Sequence, residues 1–134
     1  MKTIKVALVV QNCIAGDFNR NLESSLRLIT SASEQGAEII VFPEMNLTGY
    51  VAGSDILSIS KPVNENLIKK FSSIAEDLKI TIMPGMAEKT SEQKITASHL
   101  VFNIDGSLKI YRKIHTAPNE KKHFTAGDKI EILQ

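Results

Sequence analysis

Residues 38–44 read Glu-Ile-Ile-Val-Phe-Pro-Glu, a mainly apolar run that is cut off by Pro43 and followed at once by the carboxylate of Glu44. Short runs of β-branched and aromatic residues are typical of strands that are covered on both faces. Proline cannot take part in the ladder of a central strand, so the strand should end there. We therefore expect a buried strand at residues 38–42, with Glu44 just beyond its carboxyl end.

The segments on either side extend this strand into an α/β pattern. Residues 4–11 (IKVALVVQ) form a similar run, and residues 80–83 form a third that stops at a Pro-Gly pair. Between them, apolar residues recur at helical spacing in two segments, namely Leu22, Leu26, Ile29 and Ala32, and then Leu67, Phe71, Ile74 and Leu78. Gly36 suits the end of the first helix and Asn64 the N-cap of the second. The order βαβαβ favours an α/β layer with right-handed crossovers.

The rest of the chain reads as β-structure. Residues 95–104 and 107–113 flank Asp105-Gly106, a two-residue signal for a hairpin with a type I′ turn. Residues 46–62 look like a loop, and residues 129–133 are expected to form another short strand. Because this last strand is followed by no helix to cover it, the pattern suggests an unfinished sheet.

Composition excludes several classes of function. The chain has 134 residues, 43% of them hydrophobic and 23% charged, as expected for one globular domain. A net charge of +1 gives no electrostatic footprint for nucleic acid or an anionic membrane. The apolar runs are too short to span a bilayer and no signal peptide is evident, so we expect a cytoplasmic protein. Phosphate-binding glycine motifs and Cys-x-x-Cys pairs are missing, and we expect neither a cofactor nor a metal.

Glu44 is the first candidate for chemistry. Open α/β sheets bind their ligands beyond the carboxyl ends of the strands, where Glu44 is expected. Flanked by Phe42 and Met45, its carboxylate should be partly desolvated and suited to act as a general base. The alternative is a solvated glutamate in a loop.

Lys113 is the second candidate, at the end of the hairpin in residues 111–115 (YRKIH). A lysine beside a carboxylate can stabilise a developing oxyanion. Alternatively, it is an edge-strand lysine that discourages aggregation. Cys13, the one thiol, follows the first strand and could act as a nucleophile with Glu44 as its base, or it is a small packed residue.

Three motifs in this order resemble the nitrilase superfamily of carbon–nitrogen hydrolases. They are residues 41–50 (VFPEMNLTGY), residues 111–115 (YRKIH) and residues 120–128 (EKKHFTAGD). The resemblance extends over the whole chain. It implies an α/β fold that forms half of a nitrilase-type α-β-β-α sandwich, with residues 1–134 as the N-terminal part of a single domain.

The resemblance also implies roles for individual residues. Glu44 matches the glutamate that accepts the proton of the nucleophile, and Lys113 matches the lysine that holds the oxyanion. Glu120 matches a second glutamate near the lysine and the substrate amine, although a surface charge is an equal alternative. The family's cysteine lies in a further motif that this sequence does not contain, and Cys13 does not match its position.

These matches imply a hydrolase of non-peptide carbon–nitrogen bonds in a small-molecule amide or nitrile substrate. Because the thiol is expected beyond residue 134, the chain alone should be inactive. Its incomplete sheet should also lead it to pair with the missing C-terminal half or to form a homo-oligomer. The alternative is a nitrilase-like binding or assembly module without catalysis.

Overall fold

The structure begins with the expected βαβαβ unit and continues with three antiparallel strands. It is a computed structural model that describes residues 3–130. The first three strands pair in parallel, and β5 runs antiparallel to β3, β4 and β6. In chain order the elements are β1 (Val6–Leu8), α1 (Phe18–Glu34), β2 (Ile39–Val41), a 3-10 turn (Gly53–Asp55), α2 (Ile56–Ile59), α3 (Glu65–Leu78), β3 (Thr81–Met83), β4 (Gly85–Lys89), β5 (Ile95–Phe102) and β6 (Leu108–Arg112).

The ends of the two long helices are set by individual residues. The side chain of Asp17 accepts a hydrogen bond from the Arg20 amide (3.1 Å) at the start of α1. Asn64 caps α3 in the same way, accepting from the Leu67 amide (2.9 Å). Gly36 follows α1 with a φ of 78°, a left-handed conformation that glycine adopts at little cost. The roles predicted for Asn64 and Gly36 are confirmed.

The main core lies between the sheet and the helices. Ile40 of β2 and Ile82 of β3 are fully buried there, together with Phe71 of α3. The rings of Phe71 and Phe102 stack with their centroids 5.1 Å apart, so α3 packs directly on β5. The predicted stripes match the buried faces only in part: Ile29 and Ala32 of α1 and Leu67 and Phe71 of α3 are buried, whereas Leu78 is exposed. Within residues 3–130, no helix is both long and apolar enough to cross a membrane.

The opposite face of β1 is open. Val6, Leu8 and Val10 are 46%, 79% and 99% exposed, while Ala7 and Val9 pack against the core. The pattern of residues 4–11 is that of a strand covered on both faces, but only one face of β1 is covered in this chain, which agrees with the expected incomplete sheet. The helices cover only the face that carries Ala7 and Val9. On the open side, a second, smaller apolar cluster covers residues of β4 and β5 but does not reach β1.

Strand β4 was not predicted, because Pro84 and Gly85 were interpreted as the end of a strand. The pairing shows that β3 and β4 are two parts of one strand. Moving three residues along, from Ile82 to Gly85, moves the partner on β5 three residues back, from Phe102 to His99. Pro84 still takes part, since its carbonyl accepts from the Leu100 amide (2.9 Å). A proline thus interrupts the strand without ending its register.

Three smaller expectations also need comment. The hairpin is present, but its turn is not type I′, because only Gly106 of the central pair has a positive φ. The Gly106 amide instead donates to the Asn103 carbonyl (2.9 Å), which fits a type I turn followed by a bulge at Gly106, and Asp105 accepts hydrogen bonds from the amide and hydroxyl of Ser107. The predicted loop at residues 46–62 contains a short helix, α2. The strand predicted at residues 129–133 falls mainly outside the described residues.

Candidate active site

Glu44 lies in a tight turn that follows β2. The amide of Asn46 donates to the carbonyl of Pro43 (3.2 Å), and Met45 inside the turn has a φ of 61°. For a large side chain this conformation costs about 1–3 kcal/mol. The surroundings must therefore hold the turn in place, and Met45 is anchored with 1% exposure in the second apolar cluster.

Asn46 fixes this turn from the inside. Its side chain is fully buried, its Oδ1 accepts from the Gly85 amide (2.8 Å) and its Nδ2 donates to the hydroxyl of Ser25 (2.9 Å). Gly85 lies flush against the turn, because a Cβ there would be 2.7 Å from both the Pro43 carbonyl and the Met45 amide. Only glycine lets β4 approach so closely, and the backbone that carries Glu44 is thereby seated on the sheet.

Lys113 is placed by the end of β6. Its amide donates to the carbonyl of Ala97 on β5 (2.9 Å), and its own carbonyl accepts from the Gly127 amide (2.9 Å). Successive side chains of a strand point to opposite faces of the sheet. Arg112, the last residue of β6, packs on the helix side, so Lys113 emerges on the other side, where Glu44 lies.

The ammonium group of Lys113 brings two carboxylates together. Its Nζ is 3.2 Å from Oε1 of Glu44 and 3.0 Å from Oε2 of Glu120. The same Glu120 oxygen accepts from the backbone amide of Ala117 (2.9 Å). The structure thus gathers all three residues that the resemblance singled out.

The cluster stabilises its own charges. The hydrogen bond with Glu120, assisted by the pairing with Glu44, raises the pKa of Lys113 against the opposing effect of burial. The backbone hydrogen bond from Ala117, assisted by Lys113, lowers the pKa of Glu120. At neutral pH the lysine is therefore a fixed cation, and Glu120, with a side chain only 10% exposed, is a fixed anion beside it.

Glu44 is more open than expected. Its side chain is 44% exposed, against 29% for Lys113 and 10% for Glu120. Phe42 belongs to the main core and Met45 to the second cluster, so these neighbours do not enclose the carboxylate. The expected desolvation of Glu44 is only partial in this chain.

The thiol of Cys13 takes no part in the described cluster. Its hydrogen bond runs to the carbonyl of Gln11 (3.6 Å), and burial raises its pKa, which disfavours the reactive thiolate. His99 has a structural contact: its Nε2 is 3.1 Å from the carbonyl of Phe42, which can only accept, so this nitrogen carries the proton. The geometry gives no support to Cys13 as a substitute nucleophile.

The arrangement combines a proton acceptor with a fixed cation. A carboxylate that is open to solvent on one side can take a proton from an incoming thiol or water. The ammonium of Lys113, 3.2 Å from Glu44, can donate to the oxyanion that forms when the nucleophile attacks a carbonyl carbon. Acyl transfer by this pair requires a nucleophile brought to the open side of Glu44.

Comparison with known proteins identifies the family. The model of the carbon–nitrogen hydrolase family matches residues 5–134, nearly the whole chain. The chain belongs to the carbon–nitrogen hydrolase family.

Individual relatives agree with this membership. A nitrilase of Pyrococcus abyssi (strain GE5 / Orsay) is 33% identical over 128 residues, which cover 93% of this chain and 48% of that protein. A glutamine-dependent NAD(+) synthetase of Thermotoga maritima is 30% identical over 141 residues, covering 100% of this chain and 24% of the synthetase. This carbon–nitrogen hydrolase chain therefore spans about half the length, or less, of these relatives.

The fold has solved counterparts. The NitN amidase of Nesterenkonia sp. AN1 superposes with a TM-score of 0.80 at 22% identity, over 95% of this chain and 51% of the amidase. A variant of the amidase from the same organism superposes with a TM-score of 0.78 at 22% identity, over 94% of this chain and 49% of that one. It carries the acetamide moiety of fluoroacetamide covalently added at its active-site cysteine. The mixed α/β fold of this chain is thus that of nitrilase-fold amidases.

The sequence reasoning missed the residues that hold the cluster. Asn46 and Gly85 were noted only as part of a motif and as a strand breaker, and Glu88 was not noted at all. Nothing in the sequence indicated that Glu88 is buried or which residue pairs with it, because β4 was not foreseen. The partner of Glu88 is Arg112, which the sequence presented only as a member of the motif at residues 111–115.

Proposed function

We propose that this chain supplies the proton acceptor and the oxyanion-binding group of a hydrolase that cleaves non-peptide carbon–nitrogen bonds in small amides or nitriles. The observation that carries the proposal is the position of Lys113 Nζ, within 3.2 Å of Glu44 and 3.0 Å of Glu120. Membership of the carbon–nitrogen hydrolase family supports the reaction class. In this proposal residues 1–134 are part of a single domain, whose nucleophile lies in a further segment of the protein.

In the first half of the proposed reaction, Glu44 removes the proton of a cysteine thiol. The thiolate attacks the carbonyl carbon of the amide, and the Nζ of Lys113 donates to the oxygen that becomes negatively charged. The protonated Glu44 then returns its proton to the departing amine. A thioester is left on the cysteine.

In the second half, Glu44 acts as a base again. It takes a proton from water, and the resulting hydroxide attacks the thioester carbon while Lys113 holds the oxyanion. The thiolate leaves and recovers the proton, and a carboxylic acid is released. Glu120 does not touch the reacting carbon in this scheme; it keeps the lysine charged and oriented.

That the nucleophile is a cysteine from a further segment is part of our proposal, and one solved structure of similar fold supports it. In the amidase variant of Nesterenkonia sp. AN1, the acetamide moiety of fluoroacetamide is covalently added at the active-site cysteine. In this chain the thiol of Cys13 donates a hydrogen bond to the Gln11 carbonyl and lies outside the Glu44–Lys113–Glu120 cluster. We therefore propose that the 134-residue chain is inactive by itself.

The test compares two polypeptides for ammonia release from simple aliphatic amides and nitriles. One is the 134-residue chain, and the other is a longer protein in which the chain continues into a strand and a cysteine-containing turn. The proposal requires release by the longer protein and none by the chain. If a folded longer protein releases no ammonia from any of these substrates, the alternative of a non-catalytic binding or assembly module is favoured.

A further inference from the structure

A buried carboxylate lies on the helix side of the sheet, opposite the candidate active site. Glu88 of β4 is 5% exposed, and its Oε2 accepts hydrogen bonds from Thr96 (3.0 Å), Ser98 (2.7 Å) and Nε of Arg112 (2.8 Å). Its Oε1 accepts from Nη2 of Arg112 (2.7 Å). Both carboxylate oxygens thus have hydrogen-bond donors, and Arg112 binds them in a bidentate geometry that fixes the orientation of its guanidinium group.

This network ties three strands together through side chains. Glu88 comes from β4, Thr96 and Ser98 from β5, and Arg112 from β6. Among the described residues, β6 pairs only with β5, so its backbone is held along one edge. The arginine reaches across β5 to β4 and anchors the final residue of β6 to a strand with which β6 does not pair in the described part of the chain.

The residue that follows this anchor is Lys113. Its backbone is also held from the other direction, because Gly127 donates to the Lys113 carbonyl and lies against Arg112. A Cβ at Gly127 would be 2.3 Å from the Arg112 carbonyl oxygen, so no larger residue could lie there unless the backbone moved. The two-residue segment Arg112–Lys113 is therefore held by the side chain of Glu88 and by the backbone of Gly127.

We propose that Glu88 and Arg112 are positioning residues that hold the ammonium of Lys113 between Glu44 and Glu120. They act from the opposite face of the sheet and touch neither the candidate site nor any substrate. Strand geometry transmits the effect, because a rotation or slip at Arg112 would move the side chain of the next residue away from its carboxylates. The importance of this positioning for turnover rests on the proposed function, whereas the positioning itself does not.

If Glu88 and Arg112 were a purely structural pair, the expected effects of removing them would be different. Such a pair would stabilise the whole chain, and its removal would lower the melting temperature without any specific change at Lys113. A positioning pair must change the environment of this one amine. The readout is therefore the titration and reactivity of Lys113, compared within the same molecule with Lys69, whose side chain is 78% exposed on α3.

The experiment is competitive trace acetylation of the purified 134-residue chain from about pH 7 to about pH 11, with each lysine quantified by peptide mass spectrometry. The main variant is Glu88→Gln combined with Arg112→Met, which leaves no unpaired charge in the buried site and so avoids the main reason for misfolding. Arg112→Lys keeps the positive charge but loses the bidentate contact with Glu88. Ser72→Ala, which removes a 2.7 Å bond from α3 to the Gly106 carbonyl, is a destabilising control away from Glu88.

In the double variant we expect Lys113 to titrate at lower pH and to react at least about threefold faster, relative to Lys69, at about pH 8. Arg112→Lys should give an intermediate profile, and Ser72→Ala should leave the Lys113 profile unchanged. A folded double variant with the wild-type Lys113 profile would overturn the proposal, whatever its melting temperature. Failure to find amide hydrolysis would count against the proposed function only, because this readout needs no turnover.

Discussion

Glu44 and Lys113 form an ion pair of 3.2 Å although they come from different structural units, a turn after β2 and the end of the β5–β6 hairpin. The pair exists only when the parallel βαβ part and the antiparallel part pack correctly against each other. Gly85 mediates this packing, because it carries the start of β4 flush against the turn of Glu44. The candidate site is therefore a property of the whole sheet and not of either motif alone.

The turn that carries Glu44 should depend on the amide of Asn46. Asn46→Ala leaves the buried amide of Gly85 without its acceptor and removes the donor to the hydroxyl of Ser25, so we expect the free energy of unfolding to fall by about 2–3 kcal/mol. Urea denaturation followed by circular dichroism measures this. Asn66→Ala on α3 is the matched control, since Asn66 is exposed, and it should change stability little. Equal effects of the two substitutions would show that the turn is held in another way.

The buried Glu88–Arg112 pair should make stability depend on pH in the acid range. Burial acts to raise the pKa of Glu88, but hydrogen bonds from Arg112, Ser98 and Thr96 outweigh it and hold this pKa below its ordinary value of 4.5. The unfolded state then binds the proton first as the pH falls. The stability contributed by Glu88 is therefore present above about pH 4.5 and is lost as the pH falls through the folded-state pKa.

Unfolding free energies measured between about pH 6 and about pH 3 test this dependence. We expect the loss of stability on acidification to be shallower in Glu88→Gln than in the wild type. Glu65→Gln is the control, because the 3.9 Å ion pair of Glu65 with Lys69 is exposed and contributes little. A slope in Glu88→Gln as steep as that of the wild type would contradict the assignment.

The open face of β1 should drive association. Val6, Leu8 and Val10 are exposed side by side on one face of a strand that, in the described part of the chain, pairs only with β2. A contiguous apolar face beside a free strand edge favours contact with another chain. We expect light scattering of the 134-residue chain to show a species larger than a monomer.

Leu8→Lys tests whether this face is the contact. It should shift the population towards the monomer, since it places a charge at a residue that is 79% exposed in the centre of the patch. Leu57→Lys is the control, because Leu57 is an exposed apolar residue on α2, away from β1. A wild-type chain that is monodisperse and monomeric, with protected amides in β1, β2 and β3, would refute our expectation.

Much of the fold could be predicted because local signals agreed with the final packing. Asn64 as an N-cap, Gly36 after α1 and the burial of Leu67 and Phe71 on α3 each depend on only a few neighbouring residues. The β5–β6 hairpin followed from alternation around Asp105 and Gly106. The predictions that failed depended on distant contacts. Proline usually ends a strand, but here the pairing with β5 continues through Pro84 from β3 into β4.

The candidate residues were predictable for a different reason. Glu44 and Lys113 were first selected from their expected positions at strand ends, and the resemblance to a family then assigned their roles, whereas Glu120 was selected by the resemblance alone. The supporting contacts had no such signal. Whether Asn46 is buried against Gly85, or Glu88 against Arg112, depends on which strands become neighbours, and β4 was not foreseen.

The proposed roles of Glu44 and Lys113 are tested most directly by turnover. The measurement is the rate of ammonia release by Glu44→Gln in the longer protein that joins this chain to a cysteine-containing turn. Glutamine keeps the shape of the side chain but cannot accept the proton, so we expect a loss of about 10²-fold or more. Lys113→Met should lose about 10²–10³-fold, because it removes the donor to the oxyanion.

Glu65→Gln serves as the control for the rate as well, because it is exposed on α3 and far in sequence from every motif of the site. Circular dichroism must show that each variant is folded. We predict that Glu65→Gln releases ammonia at the wild-type rate while Glu44→Gln falls to near the background. A folded Glu44→Gln protein that releases ammonia at the wild-type rate would contradict the account.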